Sequence, residues 1–346
     1  MRVLLTRPPV ALSLLGGFLG GAGLLALTFG PARIGLESFW LLLTGRYDLL
    51  EMFERTILLR VRLPRVIGAA VVGASLGLCG AAMQGLFRNP LADPGLIGVT
   101  GGAAFGSVLY LTFGAGLMGG LTVLSGLGLP IAAFLGGFLM TLLIYKASVV
   151  EGRAIVGLML LAGVALNALS GALTGLVLFF ADDNQLREFT FWTLGNLGRV
   201  TTFKLMLAMP FLLLAFLYLP RQANVLNALL LGEAEAGHLG FDLKHLQRRL
   251  VLVAAAGVGA AVSLAGGIGF IGLVAPHLVR QWIGPDHRWL MPGSALLGAV
   301  LLIFADLFAR SLAAPAELPV GILTAIIGAP VFYSLLHGRR RSALFT

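Results

Sequence analysis

Long apolar stretches recur along this chain and leave only short polar segments between them. A helix needs about 20 apolar residues to cross the hydrocarbon core of a bilayer, and most of these stretches reach that length. The chain is 58% hydrophobic and only 11% charged, far outside the range of soluble globular proteins. The stretches do not alternate between apolar and polar residues as the strands of a membrane barrel do. The sequence therefore predicts an all-α integral membrane protein.

Ten membrane-spanning helices are predicted, in a single transmembrane domain that covers residues 1–346. Their approximate ranges are 10–30, 64–86, 95–113, 121–145, 154–180, 192–219, 248–267, 269–283, 289–309 and 320–337. The first range resembles a signal peptide, but it is long and lacks a clear cleavage site, so we expect it to be retained. The stretch 269–283 is too short to cross upright, so we expect its neighbours to bury it. The 48 glycines favour close helix packing.

Basic residues indicate the orientation of these helices. With both chain ends in the cytoplasm, most Lys and Arg residues fall on the cytoplasmic side, and Arg339–Arg341 after the last helix supports this most directly. The net charge of +9 comes from residues scattered between apolar runs, so we attribute it to membrane orientation and expect no nucleic-acid partner. The polar segment 221–249 is then cytoplasmic.

Segment 221–249 is the longest polar interruption on the cytoplasmic side. Two short amphipathic stretches, 224–231 and 233–239, precede Gly240 and a basic end at 244–249. This pattern favours a folded surface element that a partner protein contacts. The alternative is an ordinary loop whose arginine side chains reach the membrane surface.

The turn 88–95 joins two predicted helices on the same side. Pro90 and Pro94 prevent one helix from continuing and allow the next to start. A rigid turn with a protruding Leu91 could plug the mouth of a pore. A tight chain reversal without such a role is the alternative.

Three arginines lie at the expected outer ends of helices, namely Arg62, Arg65 and Arg310. Exposed guanidinium groups pair readily with carboxylates of a docking protein, since they can form two parallel hydrogen bonds. Anchoring at the membrane surface is the alternative. Asp306 precedes Arg310 by one helical turn, so these two side chains are expected to pair.

The sequence predicts a transport protein without catalytic chemistry of its own. The GxGxxG matches at 114–119 and 267–272 lie in apolar sequence with no preceding strand, and no G-x-x-x-x-G-K-[ST] occurs, so no nucleotide site is expected. The five histidines lack metal-binding spacing and Cys79 is the single cysteine, so no metal or other cofactor is expected. Ionisable residues are nearly absent from the helix centres, which disfavours an ion-coupled secondary carrier. Such a transporter must take its energy from a partner.

A series of motifs follows one order along about residues 60–335. The motifs are Arg62-Leu63-Pro64-Arg65, Gln84, RNPLADPG at 88–95, WTLG at 192–195, Leu231-Gly232-Glu233, Leu239-Gly240, GGIGFIGLVAPHLVR at 266–280, GPDHR at 284–288, Ala305-Asp306 with Arg310, and AELPVGILTAIIGAPVF at 316–332. This series resembles the FecCD family, the permease subunits of type II ABC importers for vitamin B12, haem and ferric siderophores. The first 60 residues resemble the family only in general character and carry none of these motifs.

The resemblance implies the type II ABC importer permease fold, with ten transmembrane helices per subunit, in the bacterial inner membrane. It implies a second permease subunit, which completes a homodimer surrounded by membrane lipid. It also implies two cytoplasmic ATP-binding subunits and a periplasmic substrate-binding protein.

The resemblance also implies roles for individual residues. The positions that match the ATPase-coupling segment are Leu231, Gly232, Glu233, Ala236, Leu239 and Gly240. The positions that match a turn narrowing the cytoplasmic exit are Asn89, Pro90 and Leu91. The positions that match contacts with acidic residues of the binding protein are Arg62, Arg65 and Arg310. The span 154–180 matches the helix that lines most of the pathway.

The cargo implied by the resemblance is a bulky iron chelate, haem or a ferric siderophore, carried from periplasm to cytoplasm. Local similarity of residues 305–332 to haem and corrinoid permeases favours haem. Vitamin B12 is the alternative within the same class. An ion-coupled carrier is the third alternative, and it predicts intramembrane carboxylates that the sequence largely lacks.

Overall fold

The computed structural model describes residues 7–30, 35–46, 48, 51–114, 126–314 and 316–343. Nearly all regular structure in these ranges is helical. The helices are α1 (Pro8–Thr28), α2 (Leu36–Leu43), α3 (Met52–Thr56), α4 (Leu63–Leu86), α5 (Val99–Leu109), α6 (Gly128–Ser148), α7 (Val156–Phe179), α8 (Asp183–Thr193), α9 (Thr202–Tyr218), α10 (Ala223–Leu229), α11 (Glu233–His238), α12 (Leu243–Ala265), α13 (Ile271–Ile283), α14 (His287–Leu312) and α15 (Val320–Ala343). A short antiparallel pair, β1 (Val149–Val150) and β2 (Arg153–Ala154), joins α6 to α7.

Seven helices within the described ranges are long and apolar enough to cross a membrane. They are α1, the continuous helix Met52–Leu86 that contains α3 and α4, then α6, α7, α9 with α10, α12 and α14. Two shorter apolar helices, Val99–Gly114 and Val320–Tyr333, accompany them. Together with α13, these segments are compatible with the ten predicted crossings. The chain is thus a multi-pass, all-α membrane protein.

The centre of the bundle is the contact between α4 and α14. Gly73 and Gly77 lie one turn apart on α4, against the carbonyl oxygens of Gly298 and Ser294 on α14. A Cβ at either α4 glycine would overlap those oxygens, so only glycine allows the two backbones this close. α12 also packs against α4, and 83% of its most apolar stretch is buried. The predicted packing through small residues is confirmed here.

Helix α13 is the short crossing. It has only 13 residues, and most of them are buried against α4 and α14. Residues 266–270 before it are not helical, and Phe270 enters α13 with a positive φ of 67°. The expectation that neighbours bury 269–283 is confirmed, with the helix beginning at Ile271.

Two predicted boundaries were wrong. The predicted span 192–219 starts too early: α8 ends at Thr193, Gly195 turns the chain with a φ of 79°, and α9 begins only after the Thr201 side-chain cap. The basic stretch 244–249 forms the first turns of α12, which begins behind the side-chain cap of Asp242. The first turns of α12 are polar and give no apolar signal. The predicted start of this helix, residue 248, was therefore too late.

The bundle has two ends. The loop end carries the turn 87–98, the β1–β2 pair, the segment 219–242 and the turn 284–286. The arginine end carries the last turn of α1, Arg62, α8 and the connection between α14 and α15.

Candidate functional site

Segment 221–249 forms α10, α11 and the first turns of α12 at the loop end. Gly232 separates the two helices with a φ of 127°, and Gly240 follows α11 with a φ of 85°. Glycine adopts these angles without the strain that a side chain would add, so both short helices have fixed ends. The two amphipathic stretches predicted at 224–231 and 233–239 are therefore mainly helical. The prediction of a folded element is confirmed up to Gly240.

The tip of this segment is exposed. The side chains of Leu231 and Leu239 are 72% and 62% exposed, and Glu233 is exposed beside them. Large apolar side chains on an otherwise polar segment are typical of a protein contact surface. Ala236 differs from the other predicted coupling residues, since it is fully buried. Its side chain attaches α11 to the subunit and offers no surface to a partner.

Helix α10 is held to the start of α14 by polar side chains. Asn227 donates to Asp286 Oδ1 at 2.6 Å and accepts from the backbone nitrogen of His287 at 2.9 Å. Asn224 accepts from Arg288 Nε at 2.9 Å. We call these five residues the amide clamp. The clamp connects the exposed segment directly to a long transmembrane helix.

Sequence reasoning missed the amide clamp. Asn224 and Asn227 are three residues apart, so they share one face of α10, and this spacing was the available signal. Their partners lie in the GPDHR motif at 284–288, which carried the family resemblance but received no role. Only the fold brings the two segments together.

Asp286 is the charged group at the centre of the amide clamp. Its burial disfavours the charged form, but hydrogen bonds from the Arg288 backbone and from Asn227, with the charge of Arg288, outweigh this and lower its pKa. The carboxylate accepts from the Arg288 backbone nitrogen at 3.0 Å and caps α14. At neutral pH it is ionised and keeps both contacts.

The turn 88–95 is stabilised by its own polar groups. Arg88 has a φ of 50°, and Asn89 Oδ1 accepts from the backbone nitrogen of Leu91 at 3.0 Å. Asp93 accepts from Gly95 N at 2.7 Å and caps the following helical turn. Asn89 is exposed, whereas Pro90 and Leu91 are half-buried. Leu91 therefore does not protrude freely, as the sequence suggested, and the role of this turn as a gate stays a prediction.

An ion pair connects this turn to the exposed segment. Arg88 Nη2 lies 3.4 Å from Glu233 Oε1, and both side chains are nearly half exposed. Exposed pairs of this kind contribute only about 0–1 kcal/mol to stability. The pair therefore shows that two predicted functional elements are neighbours, and contributes little to the fold.

Five charged residues form an arginine cluster at the opposite end. Arg65 Nε donates to both oxygens of Asp306, at 2.9 and 3.1 Å, and Arg65 Nη1 donates to Glu317 at 2.8 Å. Arg310 Nε lies 3.8 Å from Asp306, so the predicted pair on α14 is present. Arg62 completes the cluster.

The predicted exposure of these arginines was wrong. Arg62, Arg65 and Arg310 are 3%, 5% and 3% exposed. Arg62 donates to the carbonyl oxygens of Leu27 and Thr28, and Arg310 donates to another carbonyl in the last turn of α1. The carbonyls that end a helix lack intrahelical partners and carry partial negative charge, so they attract guanidinium groups. Nothing near these arginines in sequence reveals that α1 supplies these partners.

Comparisons with known proteins show the family of this chain. The model of the FecCD transport family matches residues 18–338. The chain belongs to the FecCD transport family. The hemin transport system permease protein of Yersinia pestis is 46% identical over 284 residues, which is 82% of this chain and 84% of the relative. The vitamin B12 import system permease protein of Vibrio cholerae is 41% identical over 283 residues, 82% of this chain and 83% of the relative.

Solved structures agree with the FecCD assignment. A metal-chelate type ABC transporter in an inward-facing conformation matches with a TM-score of 0.82 and 32% identity, over 95% of this chain and 99% of the other. PsaBC from Streptococcus pneumoniae, solved with a Fab, has a TM-score of 0.52 and 16% identity over 84% and 94% of the chains, a likeness of fold alone. The predicted importer permease fold is confirmed.

Helix α7 gives this FecCD subunit a long uncovered face. Leu161, Val164 and Phe179 are 68%, 69% and 82% exposed, and only 17% of the most apolar stretch of α7 is buried. Gly171 and Gly175 on the same helix face open space. The helix predicted to line a pathway is thus one of the least covered in the single subunit.

Proposed function

We propose that this chain is the permease subunit of an ABC importer that carries a bulky iron chelate, haem or a ferric siderophore, from periplasm to cytoplasm. The observation that carries the proposal is the 46% identity to a hemin permease over most of both chains. The chain itself performs no covalent chemistry. A separate ATPase supplies the energy.

The exposed tip of α10 and α11 is the contact for that ATPase. Leu231, Glu233 and Leu239 enter a cleft of the ATPase, and Gly232 and Gly240 set the ends of the inserted helices. The fixed helix ends at Gly232 and Gly240 and the amide clamp favour this role. When the tip moves, the clamp transmits the movement to α14, so that the two move as one body. The turn at Asn89, Pro90 and Leu91 lies beside the tip and closes the cytoplasmic exit.

A second copy of the chain completes the pathway. The uncovered apolar face of α7 lines it, together with the matching face of the other subunit. Small and apolar side chains give weak contacts to a bulky chelate, so the cargo is released and selectivity rests with the periplasmic binding protein. Two permease subunits, two ATPases and one binding protein make the complete importer.

The arginine cluster receives the binding protein by exchange of partners. Arg65 is buried, but its partner Glu317 has a side chain that is 44% exposed. An acidic residue of the binding protein displaces Glu317 from Arg65, while Arg62 and Arg310 hold α1 in place beside it. Asp306 keeps Arg65 oriented throughout.

Residues 1–346 form one transmembrane permease domain in the bacterial inner membrane, with both termini in the cytoplasm. This orientation puts the loop end, with α10 and α11, on the cytoplasmic side, where the ATPase binds ATP. It puts the arginine cluster on the periplasmic side, where the binding protein arrives.

Vitamin B12 is the second candidate cargo, because B12 permeases are 41% identical over a similar length. An ion-coupled carrier has less support. Its best carboxylate would be Asp306, which is already engaged by Arg65 and Arg310.

The deciding experiment is uptake into proteoliposomes that contain this permease and its cognate ATPase. Binding protein loaded with haem, a ferric siderophore or cobalamin is supplied outside, with ATP inside. We expect ATP-dependent uptake of haem or the siderophore. Uptake of cobalamin alone would transfer the assignment to the second candidate, and uptake driven by an ion gradient without ATP would refute the importer.

A further inference from the structure

A groove crosses the outer surface of the bundle between α6 and α9, with α12 as its floor. Its volume is about 220 Å³, and its walls include Ile131 and Phe134 of α6 with Leu207 and Phe211 of α9. The rings of Phe134 and Phe211 meet across the groove with their centroids 4.4 Å apart. The proposed mechanism uses none of these residues.

The groove is open to the surroundings of the subunit. Ile131, Leu207 and Phe211 are 37%, 43% and 38% exposed, whereas the floor residues Ala260 and Leu264 are buried. Both walls belong to helices that cross the membrane. The groove therefore opens outward from the subunit at the depth of the membrane.

One end of the groove carries a cation. Lys204 lines it near the start of α9, at the arginine end, and Lys204 Nζ donates to the backbone oxygen of Arg199 at 3.2 Å. Glu188 pairs with Arg199 at 2.5 Å and so balances that guanidinium. Among the described residues, no carboxylate lies within ion-pair distance of Lys204 Nζ, and Glu188, which lies nearby, is already paired with Arg199.

We propose that this groove binds a phospholipid with an anionic headgroup. One acyl chain lies along the groove and packs against the touching rings of Phe134 and Phe211, and the headgroup phosphate accepts a hydrogen bond from Lys204. An amphiphile with an apolar chain and one negative end complements a groove that is apolar along its length and positive at one end. A basic side chain close to the membrane surface attracts an anionic headgroup by its charge.

The test is lipid binding to the purified full-length protein after delipidation in detergent. Phosphatidylglycerol and phosphatidylcholine with identical acyl chains are titrated separately, and the rise in thermal unfolding temperature reports occupancy. We expect phosphatidylglycerol to bind about fivefold more tightly, the ratio that one basic residue near an anionic headgroup provides. Lys204→Gln should lower this ratio to about one, by the same reasoning.

The matched control is Arg187→Gln, which removes an exposed cation from α8 at the same end of the bundle. This variant should keep the wild-type preference for phosphatidylglycerol. If Lys204→Gln does not fold, Lys204→Arg and Leu207→Trp replace it. The first should retain the preference, and the second should weaken both lipids by filling the groove.

Three results would overturn the proposal. The first is an unchanged preference in Lys204→Gln, or an equal loss in Arg187→Gln. The second is full stabilisation by glycerol phosphate alone, which would make the ligand a free anion. The third is disulfide crosslinking of two protein copies through Leu207→Cys when a mild oxidant is added, which would make the groove a protein interface.

Discussion

At the scale of single residues, the arginine cluster shows how charge is kept inside a membrane bundle. Arg65 is held by two carboxylates, and Arg62 and Arg310 use the carbonyl oxygens at the end of α1. A buried charge is tolerated when a partner of opposite charge and good geometry is present. The cluster therefore fastens α1, α4 and α14 together while leaving Glu317 accessible.

Arg65→Ala should destabilise the subunit by about 3–5 kcal/mol, because Asp306 loses its bidentate partner in a buried site. Thermal unfolding in detergent measures the effect. Arg187→Ala, an exposed arginine at the same end, is the control and should change stability by less than about 0.5 kcal/mol. Equal effects of the two substitutions would mean that the Arg65–Asp306 pair does not stabilise the native bundle.

Asp286 predicts a defined acid sensitivity. Its pKa is lower in the folded chain than the ordinary value of about 3.9, because hydrogen bonds from Arg288 and Asn227 outweigh its desolvation. Its contribution to stability is therefore complete above about pH 4 and is lost as pH falls through the folded-state pKa. Asp286→Asn should be less stable than wild type at pH 7, and the difference should shrink below pH 4. Unfolding midpoints from pH 7 to 3 test this, and a constant difference would contradict it.

At the scale of elements, the sequence predicted those helices and segments whose signal lies within one short continuous stretch of residues. Apolar runs indicated the spans, and the two amphipathic stretches before Gly240 indicated a folded surface element. The late start of α9 at Thr202 depended on the turn at Gly195 and the irregular residues after it, which carry no periodic signal. The early start of α12 was hidden because its first turns are polar.

In the candidate site, too, some features follow from short motifs and others depend on contacts between distant segments. The coupling and gate roles were assigned from motifs, since each motif lies within a short continuous segment, and these roles stay predictions. Burial of Arg62 and Arg310 depends on α1, and the amide clamp depends on α10 meeting α14. Contacts between segments that are distant in sequence leave no local pattern.

Glu233→Arg should uncouple the permease from its ATPase, because it reverses the charge at the exposed tip of α11. We expect loss of ATPase stimulation at least tenfold larger than that of Arg88→Glu, which breaks the same half-exposed pair from the other side and contributes only about 0–1 kcal/mol. ATP hydrolysis in proteoliposomes measures both variants. An equal loss of ATPase stimulation in both variants would mean that the loss comes from breaking the Arg88–Glu233 ion pair.

Asn227→Ala tests the amide clamp as the connection to α14. Removing the side chain frees Asp286 and the His287 backbone from α10 but leaves the exposed tip unchanged. We expect the ATPase to bind normally while substrate transported per ATP falls several-fold. Asn184→Ala, an exposed asparagine on α8 at the other end, is the control. Normal transport by Asn227→Ala would show that movement reaches α14 by another route.

At the scale of the whole molecule, the bundle places the two proposed contact surfaces at opposite ends and joins them through α14. The amide clamp holds the first turn of α14, and Asp306 and Arg310 lie in its last turns. A helix of 26 residues extends about 39 Å, enough to connect both faces of a membrane. Docking at the arginine end and closure at the loop end can therefore act on one rigid element.

This arrangement predicts that Glu317→Gln strengthens docking of the binding protein. In the free subunit Glu317 pairs with Arg65, so it competes with the carboxylate of the binding protein. Removing the charge of Glu317 weakens this competing pair. We expect an increase in affinity of about 3- to 10-fold at low salt, which decreases as salt screens the exposed charges. Glu188→Gln, which removes the carboxylate paired with Arg199 at the same end, is the control and should leave affinity within twofold, about 0.4 kcal/mol. A lower affinity in Glu317→Gln would mean that Glu317 itself contacts the binding protein, and the exchange of partners at Arg65 would be wrong.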